Sequence, residues 1–549
     1  PHTLTAFRQW LQEQYDSLNA LNQEWETDFA SWDDVEPMTT YEAKDRERKA
    51  LQEGHLENYA PWSDHRAFMD ITFAQALGRL RGFIRGLDPH VPVGIEGTQM
   101  PSAWGGYDLW RLSQVIDWVE PYDIANSRDI FRSFLPSNDP VLGTVFGSDF
   151  QRIRRRLWWL VLHGDRGCVI WDDEKSRCIE KTEDGLPLTD RGKRLAEIFE
   201  ELKSLAPVFF NLQRVDDRIA IHYSQASVRA HWMFDSRRDG NTWPRRFSSY
   251  ESRHSRLVRV RDSFVNVIED LGLQYNFVSY EQIENGELQK AGYKVLLLPQ
   301  SVAMSQKECQ QIEAFVRSGG TVIADNMTAT MDEHCKRLPN GQLDGLFGIQ
   351  RDGAAWRAKA EAGALPVTVE GAMPLQVFEP EITLTTGKAH HTINQTPAIV
   401  ENSVGQGRAI YLNLDMHDYI EYRLTPPEGE DYRECFRQLL QQSDIEAPVK
   451  VINTMDDRPA ACIEIWRYRG NGADYIALMR NAEVDADSLG NIGYRENEKL
   501  ERVASIQVIM PEQAHVTDIR TGKSYGVTHQ LTVEMDPWSP IVLKLQKPR

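Results

Sequence analysis

The stretch VPVGIEGTQMPSAWGGYDLWRLSQVIDWVEPY, residues 91–122, decides the fold: it holds two short apolar strands, Val91–Gly97 and Val115–Tyr122, and each runs into a glutamate, Glu96 and Glu120. Further strands of the same kind are expected at Val141–Phe146 and Gly167–Trp171, with helices such as Arg66–Leu87 and Phe150–His163 between strands. Strands that alternate with helical stretches build a parallel sheet covered by helices. The opening helix is equally plain, because Phe7, Trp10, Leu11, Tyr15, Leu18 and Leu21 recur at three- and four-residue steps. Four βα units make half of an eight-stranded barrel, which needs about 250 residues. The expectation for residues 1–210 is therefore an α/β architecture, the C-terminal half of a (β/α)8 TIM barrel.

Beyond the half-barrel the pattern changes. Residues 211–448 carry strands at Ile219–Tyr223, Tyr275–Val278, Val295–Pro299 and Thr321–Asp325, with helices at Arg256–Leu271 and Gln306–Ser318, the latter stopped by Gly319-Gly320. This predicts an open doubly wound α/β domain. Short strands follow over 365–415, and Arg408–Leu414 is expected to complete that sheet. No G-x-G-x-x-G or phosphate-loop pattern marks its strand ends, so the domain is read as structural or for assembly. In residues 449–549, the segments Ala461–Tyr468, Tyr475–Arg480, Ser505–Met510 and Ile541–Leu545 alternate apolar and polar side chains, which predicts a C-terminal antiparallel β-sandwich.

Composition narrows the function. The 549 residues are 41% hydrophobic and 26% charged, and no apolar run approaches the ~20 residues that cross a bilayer. With 62 basic against 81 acidic residues the formal charge is -19, which repels phosphate backbones and excludes nucleic acid as the expected partner. Six scattered cysteines, Cys168, Cys178, Cys309, Cys335, Cys435 and Cys462, form no C-x-x-C pair, and His334-Cys335 and His390-His391 lack further ligands, so neither metal nor cofactor is expected. The sequence opens Pro1-His2-Thr3 without Met, a basic n-region or an apolar h-region, so any targeting signal is expected to be removed or to lie upstream, and the expected location stays open between a bacterial cytoplasm and periplasm.

Barrel enzymes hold their chemistry at the C-terminal ends of strands. Glu96 and Glu120 occupy two such ends, and Asp172 and Glu174 follow a third. Two carboxyl groups facing each other suffice for glycoside cleavage, one protonating the leaving oxygen and one attacking or activating water. Glu96 and Glu120 are the expected catalytic candidates, either one as the partner of an acid expected ahead of Pro1. Trp104, Tyr107, Trp110, Tyr122 and Trp171 cluster near the same ends, as expected of a cleft that packs the C–H faces of sugars. Asn126 is a candidate for binding sugar hydroxyls, and Arg128 with Arg132 for a sulfate or carboxylate. The run Arg152, Arg154, Arg155, Arg156 is expected to be a solvated helix face, and His163 with Asp165 to be structural.

Several motifs resemble glycoside hydrolase family 42, the β-galactosidase type. Phe7–Tyr15 with Leu18, Leu21-Asn22 and Trp25, followed by Trp32 and Val35, is similar to the helix after barrel strand four in that family. Gly164–Trp171 resembles its eighth strand; Leu296–Pro299, Gly319–Val322 and Gly405–Tyr411 resemble its trimerisation domain. The resemblance implies a barrel, a flavodoxin-like trimerisation domain over 211–448, a small β-sandwich and a homotrimer that hydrolyses β-galactosides in oligosaccharides. It also implies a departure. The family's acid/base Glu stands ahead of the helix that opens this sequence, and its strand-seven nucleophile falls where Leu142-Gly143-Thr144-Val145-Phe146 has no carboxylate. Two other readings stay open: hydrolysis of algal galactans such as agar or carrageenan fragments or of another β-glycoside, and a saccharide-binding protein without catalysis.

Overall fold

The computed structural model describes residues 2–122, 124–136, 139–172, 177–236, 255–351, 382–393, 395–416, 423–424, 427–481 and 500–548, with 365–366, 376–377, 379 and 419. Its first quarter opens with four helices, α1 (His2–Gln14), α2 (Leu18–Trp25), α3 (Thr40–Glu53) and α4 (Ala60–Leu87). Four parallel strands follow, each with its helix: β1 (Gly94–Thr98), α5 (Leu109–Ser113), β2 (Trp118–Pro121), α6 (Ser127–Phe134), β3 (Leu142–Val145), α7 (Phe150–His163), β4 (Gly167–Ile170) and α8 (Asp190–Phe210). β1 pairs with β2 and β3 with β4, all in parallel, and a bridge from Val119 to Val141 joins the pairs. This is half of a (β/α)8 barrel.

Alternation along the strands sets which side chains face inward. Val119 packs with Leu109, Leu112, Ile130 and Phe131 of the covering helices and with Ile116 of the α5–β2 connection, and Ile95 packs against the same cluster. Val145 and the partly buried Ile170 pack against α7 and α8 instead. Their neighbours Glu96, Glu120, Phe146 and Trp171 therefore take the opposite, concave face.

After the short strand β5 (Gln213–Arg214), the second layer system is doubly wound. β6 (Ile219–Tyr223), β7 (Tyr275–Ser279), β8 (Val295–Leu298) and β9 (Thr321–Asp325) are parallel, and they pack against α9 (Gln225–Asp235), α10 (Arg256–Asp270) and α11 (Gln306–Arg317). β10 (Lys388–Ile393), β11 (Thr396–Val404) and β12 (Gly407–Leu412) extend the sheet to the order β10-β11-β12-β9-β8-β6-β7, with β12 parallel to β9. The strand expected to complete the sheet thus does so. One apolar cluster joins this sheet to the half-barrel, since Ile221, Leu297 and Ile323 share it with Leu112, Val119 and Phe131. A helix over Glu428–Gln441, absent from the sequence reading, adds Tyr432, Phe436 and Leu440 to that cluster.

The C-terminal strands Lys450–Asn453, Arg458–Pro459, Ile463–Gly470, Ala473–Arg480, Ala504–Asp518, Ser524–Met535 and Ile541–Gln546 are antiparallel and hydrogen-bonded into one sheet, which also takes in Gln213–Arg214 at its edge. Val451, Ile465, Leu478, Val508, Val533 and Leu543 meet in a common core, so the sheet folds over on itself. The register shift between Ile509 and Ala514 allows the turn: the first part of that long strand pairs with Lys450–Asn453 and its end with Ile541–Gln546.

α4 is amphipathic in an unusual way. Its inner side rests on Val115 at Gly78, where an added Cβ would lie 3.3 Å from Val115 Cγ1. Along another side Met69, Phe73, Ala76, Leu80, Phe83 and Leu87 recur at steps of four and three, and all six are exposed, Phe83 at 68% and Leu87 at 76%. A seam with this spacing runs straight along a helix.

Candidate active site

β1 and β2 carry the two expected carboxylates at one level, because Glu96 pairs with Glu120 in the parallel register. Neighbouring strands lie about 4.8 Å apart, so the two side chains leave the sheet side by side on its concave face. A Cβ on Gly94 would fall 2.2 Å from the Trp118 carbonyl, so only glycine lets the strands approach this way. After Glu96 the chain bulges at Gly97, whose φ of 70° an L side chain rarely adopts. The bulge turns the Gly97 N–H onto Glu120, which accepts it at Oε2 at 2.6 Å.

The environments of the pair differ. Glu96 is exposed, while Glu120 is 1% exposed and its Oε1 has no hydrogen-bond partner among the described residues. Burial pushes the Glu120 carboxyl up to about 7; the Gly97 N–H opposes the shift and the neighbouring Glu96 charge adds to it. Glu120 is thus half-protonated near neutrality, behind a carboxylate that faces solvent. Thr144, on the same face of β3, also has an unpartnered hydroxyl among the described residues.

The other expected site residues divide. Tyr122 follows β2 and its N–H donates to the Thr98 carbonyl at 3.0 Å, which brings its hydroxyl over Gly97. Trp171 follows β4 and is 48% exposed. Both stand on the concave side, in one row with Phe146. Tyr107 is half-buried and packs against the shared core from the β1–α5 loop. Trp104, 36% exposed, joins an aromatic stack with Trp62 and Trp232, and the Arg66 guanidinium lies 4.1 Å over its ring. Asp172 closes its own loop by accepting the Cys178 N–H at 2.8 Å. Glu174 lies outside the described residues.

Three expectations are corrected. Trp110 is not at the mouth: its Nε1 donates to Glu281 and its ring meets Phe134 edge-on, so it ties the half-barrel to the α/β domain. Arg128 is fully buried and bound to Asp165 at 2.8 Å and Asp129 at 2.9 Å, with Trp159 beneath it, so it reaches no sulfate or carboxylate of a substrate. Arg132 pairs with the same Asp129. The arginine run on α7 is not a solvated face, because Arg155 and Arg156 are buried, Arg155 pairing with Glu501 and Arg156 lying over Trp159.

Asn126 is engaged from another domain. Arg261 of α10 donates through Nε to Asn126 Oδ1 at 3.0 Å and through its terminal nitrogen to the Ala125 carbonyl at 2.6 Å. Ala125 and Asn126 are both left-handed, at φ 54° and 57°, a conformation costly for residues with a Cβ. His163 and Asp165 are structural as expected: His163 bridges Asp129 and Glu464 and so joins the half-barrel to the C-terminal sheet. Among the described residues no group of three or more His, Cys, Asp or Glu side chains is placed to hold a metal ion.

Sequence reasoning missed the Gly97 amide, Phe146 and Thr144. The signal for the last two was alternation along Val141–Phe146, which puts both inward. The bulge had none beyond the glycine itself.

Two family models match the chain, one described as β-galactosidase over residues 1–178 and one as β-galactosidase trimerisation domain over residues 238–445. The β-galactosidase LacZ of Heyndrickxia coagulans is 20% identical over 476 residues, which cover 80% of this chain and 65% of that protein. The β-galactosidase BgaB of a Geobacillus strain is 22% identical over 515 residues, covering 84% and 68%. The chain thus spans about two thirds of these relatives. Among solved structures, the β-galactosidase of Bacillus circulans sp. alkalophilus superposes with a TM-score of 0.66 at 15% identity over 98% of this chain and 76% of that one. The exo-carrageenase GH42 of Bacteroides ovatus superposes at 0.57 and 14% identity, over 100% and 63%. These likenesses show the fold.

Proposed function

Since the chain is glycoside hydrolase family 42-like, of the β-galactosidase type, we propose that it cleaves β-galactosidic bonds in oligosaccharides with Glu96 and Glu120 as its pair of carboxylates. One observation carries the reading. Two glutamates stand at the same level on adjacent strand ends of the concave face, and burial holds one of them near neutrality. A group at about 7 donates a proton efficiently at physiological pH, which suits Glu120 to protonate the leaving oxygen. Glu96, exposed beside it, takes the role of the second carboxylate. A strand spacing of about 4.8 Å fits the separation of about 5.5 Å used by retaining enzymes.

The pair replaces the missing carboxylate at Leu142–Phe146, one strand over. The trimerisation-domain match supports assembly as a homotrimer, and Arg128, expected to meet a sulfate, is instead buried and paired with Asp165.

The test is turnover of a nitrophenyl β-galactoside by the protein as its gene encodes it, with Glu96→Gln and Glu120→Gln made separately. Each is expected to lose about a thousandfold or more in kcat, several kcal/mol of transition-state stabilisation. A loss of only about tenfold in both removes the pair from the chemistry.

A further inference from the structure

The turn that follows β2 is held in a strained shape. Ala125 and Asn126 are both left-handed, at φ 54° and 57°, and Ala125 has only a methyl group, with no polar atom to offset the clash of its Cβ. Asn126 caps α6, a position whose side-chain oxygen ordinarily accepts from the first turn of the helix, yet it makes no such bond. Its Oδ1 is turned instead to Arg261 of the α/β domain, which donates to it through Nε at 3.0 Å and to the Ala125 carbonyl through a terminal nitrogen at 2.6 Å.

Arg261 is 2% exposed, and among the described residues no carboxylate hydrogen-bonds to it. Burial pulls its guanidinium below the ordinary arginine range, while the charge of Asp262, next along α10, opposes the shift. A buried cation without a hydrogen-bonded anion is unfavourable, and both bonds of this one go to the two strained residues. The planar fork reaches a side-chain oxygen and a carbonyl together, which a lysine ammonium does not.

The turn leads back to the carboxylates. Ile124 shares an apolar cluster with Met100, from the loop after β1, and with Val228, Leu257 and Val258 of α9 and α10; Tyr122 packs against it. The Tyr122 hydroxyl stands over Gly97, whose N–H donates to Glu120. The α/β domain thus grips the chain just beyond both strand ends that carry the pair.

We propose that Arg261 is a positioning residue for the carboxylate pair: it locks Ala125 and Asn126 in their left-handed form and so fixes Tyr122 over Gly97 and Glu120 behind it. The proposal rests on the hydrolase reading for what the pair does, and on the geometry alone for how it is held. Without the fork the turn relaxes, the Tyr122 ring leaves Gly97, and water reaches Glu120.

The experiment follows two signals in the whole protein: the titration of Glu120 without substrate, read from the carboxyl infrared band that Glu120→Gln lacks, and the pH profile of kcat on a nitrophenyl β-galactoside. Burial holds the wild-type carboxyl up at about 7. Arg261→Met is expected to lower it by about one pH unit as water enters. The alkaline limb of kcat is expected to move down with it, and kcat to fall about thirtyfold with KM changed by less than about twofold. Arg261→Lys is expected to behave like Arg261→Met, and it carries the test should Arg261→Met fail to fold. Ala125→Gly, added to either, removes the strain of the left-handed form and is expected to restore most of the loss. A Glu120 band that titrates as in the wild type in a folded Arg261 variant overturns the proposal, as does a double variant no better than its Arg261 parent. Turnover retained by Glu96→Gln and Glu120→Gln would remove the hydrolase reading and leave the infrared titration intact as a test of Arg261.

Discussion

Glu120 shows how one residue links the fold to pH. Its carboxyl is raised to about 7 from an ordinary value near 4.5, so the native state holds a proton that the unfolded chain releases. The stability this supplies is complete below about 4.5 and is lost as pH rises through about 7. Glu120→Gln, which mimics the protonated form, should match the wild type in urea denaturation at pH 4 and exceed it by roughly 2 kcal/mol at pH 8. Equal stability at both values would mean that the carboxyl is not held up. Glu96 and Glu120 were legible in the sequence because a glutamate ending an apolar strand breaks the pattern it terminates. Arg128 was not, because its burial depends on Asp165, 37 residues further on, and on a histidine fixed by Glu464 from another domain. Nothing near Arg128 in sequence announces either partner.

At the scale of elements, periodicity located the strands and helices well and their ends less well. The strand expected from Val91 begins at Gly94, since Pro92 has no N–H to give a ladder. α3 escaped notice altogether: TYEAKDRERKALQE buries only Thr40, Ala43 and Glu47, so it has almost no apolar stripe. Its signal was the capping box of Thr39 and Glu42, which is present in full. Asp117, just before β2, fixes α4 against the sheet. Arg81 and Arg85 both donate to its Oδ1 and the Val93 N–H donates to Oδ2 at 3.0 Å. Asp117→Asn keeps the shape and gives up the charge, and it should cost about 1–2 kcal/mol in chemical denaturation at pH 7. An unchanged midpoint would show that α4 is held by its apolar contacts alone.

For the whole molecule, the order of the three units was visible in their changing periods, while the contacts that bind them were not, since these pair side chains hundreds of positions apart. Asp64 of α4 is an example. It accepts from the Tyr15 hydroxyl at 2.6 Å and the Trp25 indole at 2.8 Å, and it pairs with His334 of the α/β domain at 2.6 Å. Burial alone would lower the His334 value, but the charge and hydrogen bond of Asp64, with Glu333 and Asp332 behind it, raise it to about 10. The contact is therefore fully stabilising below about 6.5 and fades as pH climbs through about 10. His334→Gln should lower stability by roughly 2 kcal/mol at pH 6, and by much less at pH 10.5. A penalty that does not depend on pH would sink this account of the junction.

The seam of Met69, Phe73, Ala76, Leu80, Phe83 and Leu87 along α4 has a thermal consequence. Contacts made through apolar surface weaken on cooling, unlike those made through charge. Any neighbour that adheres to this chain along that helix will let go in the cold and cling when warmed, and added salt will not prise it off.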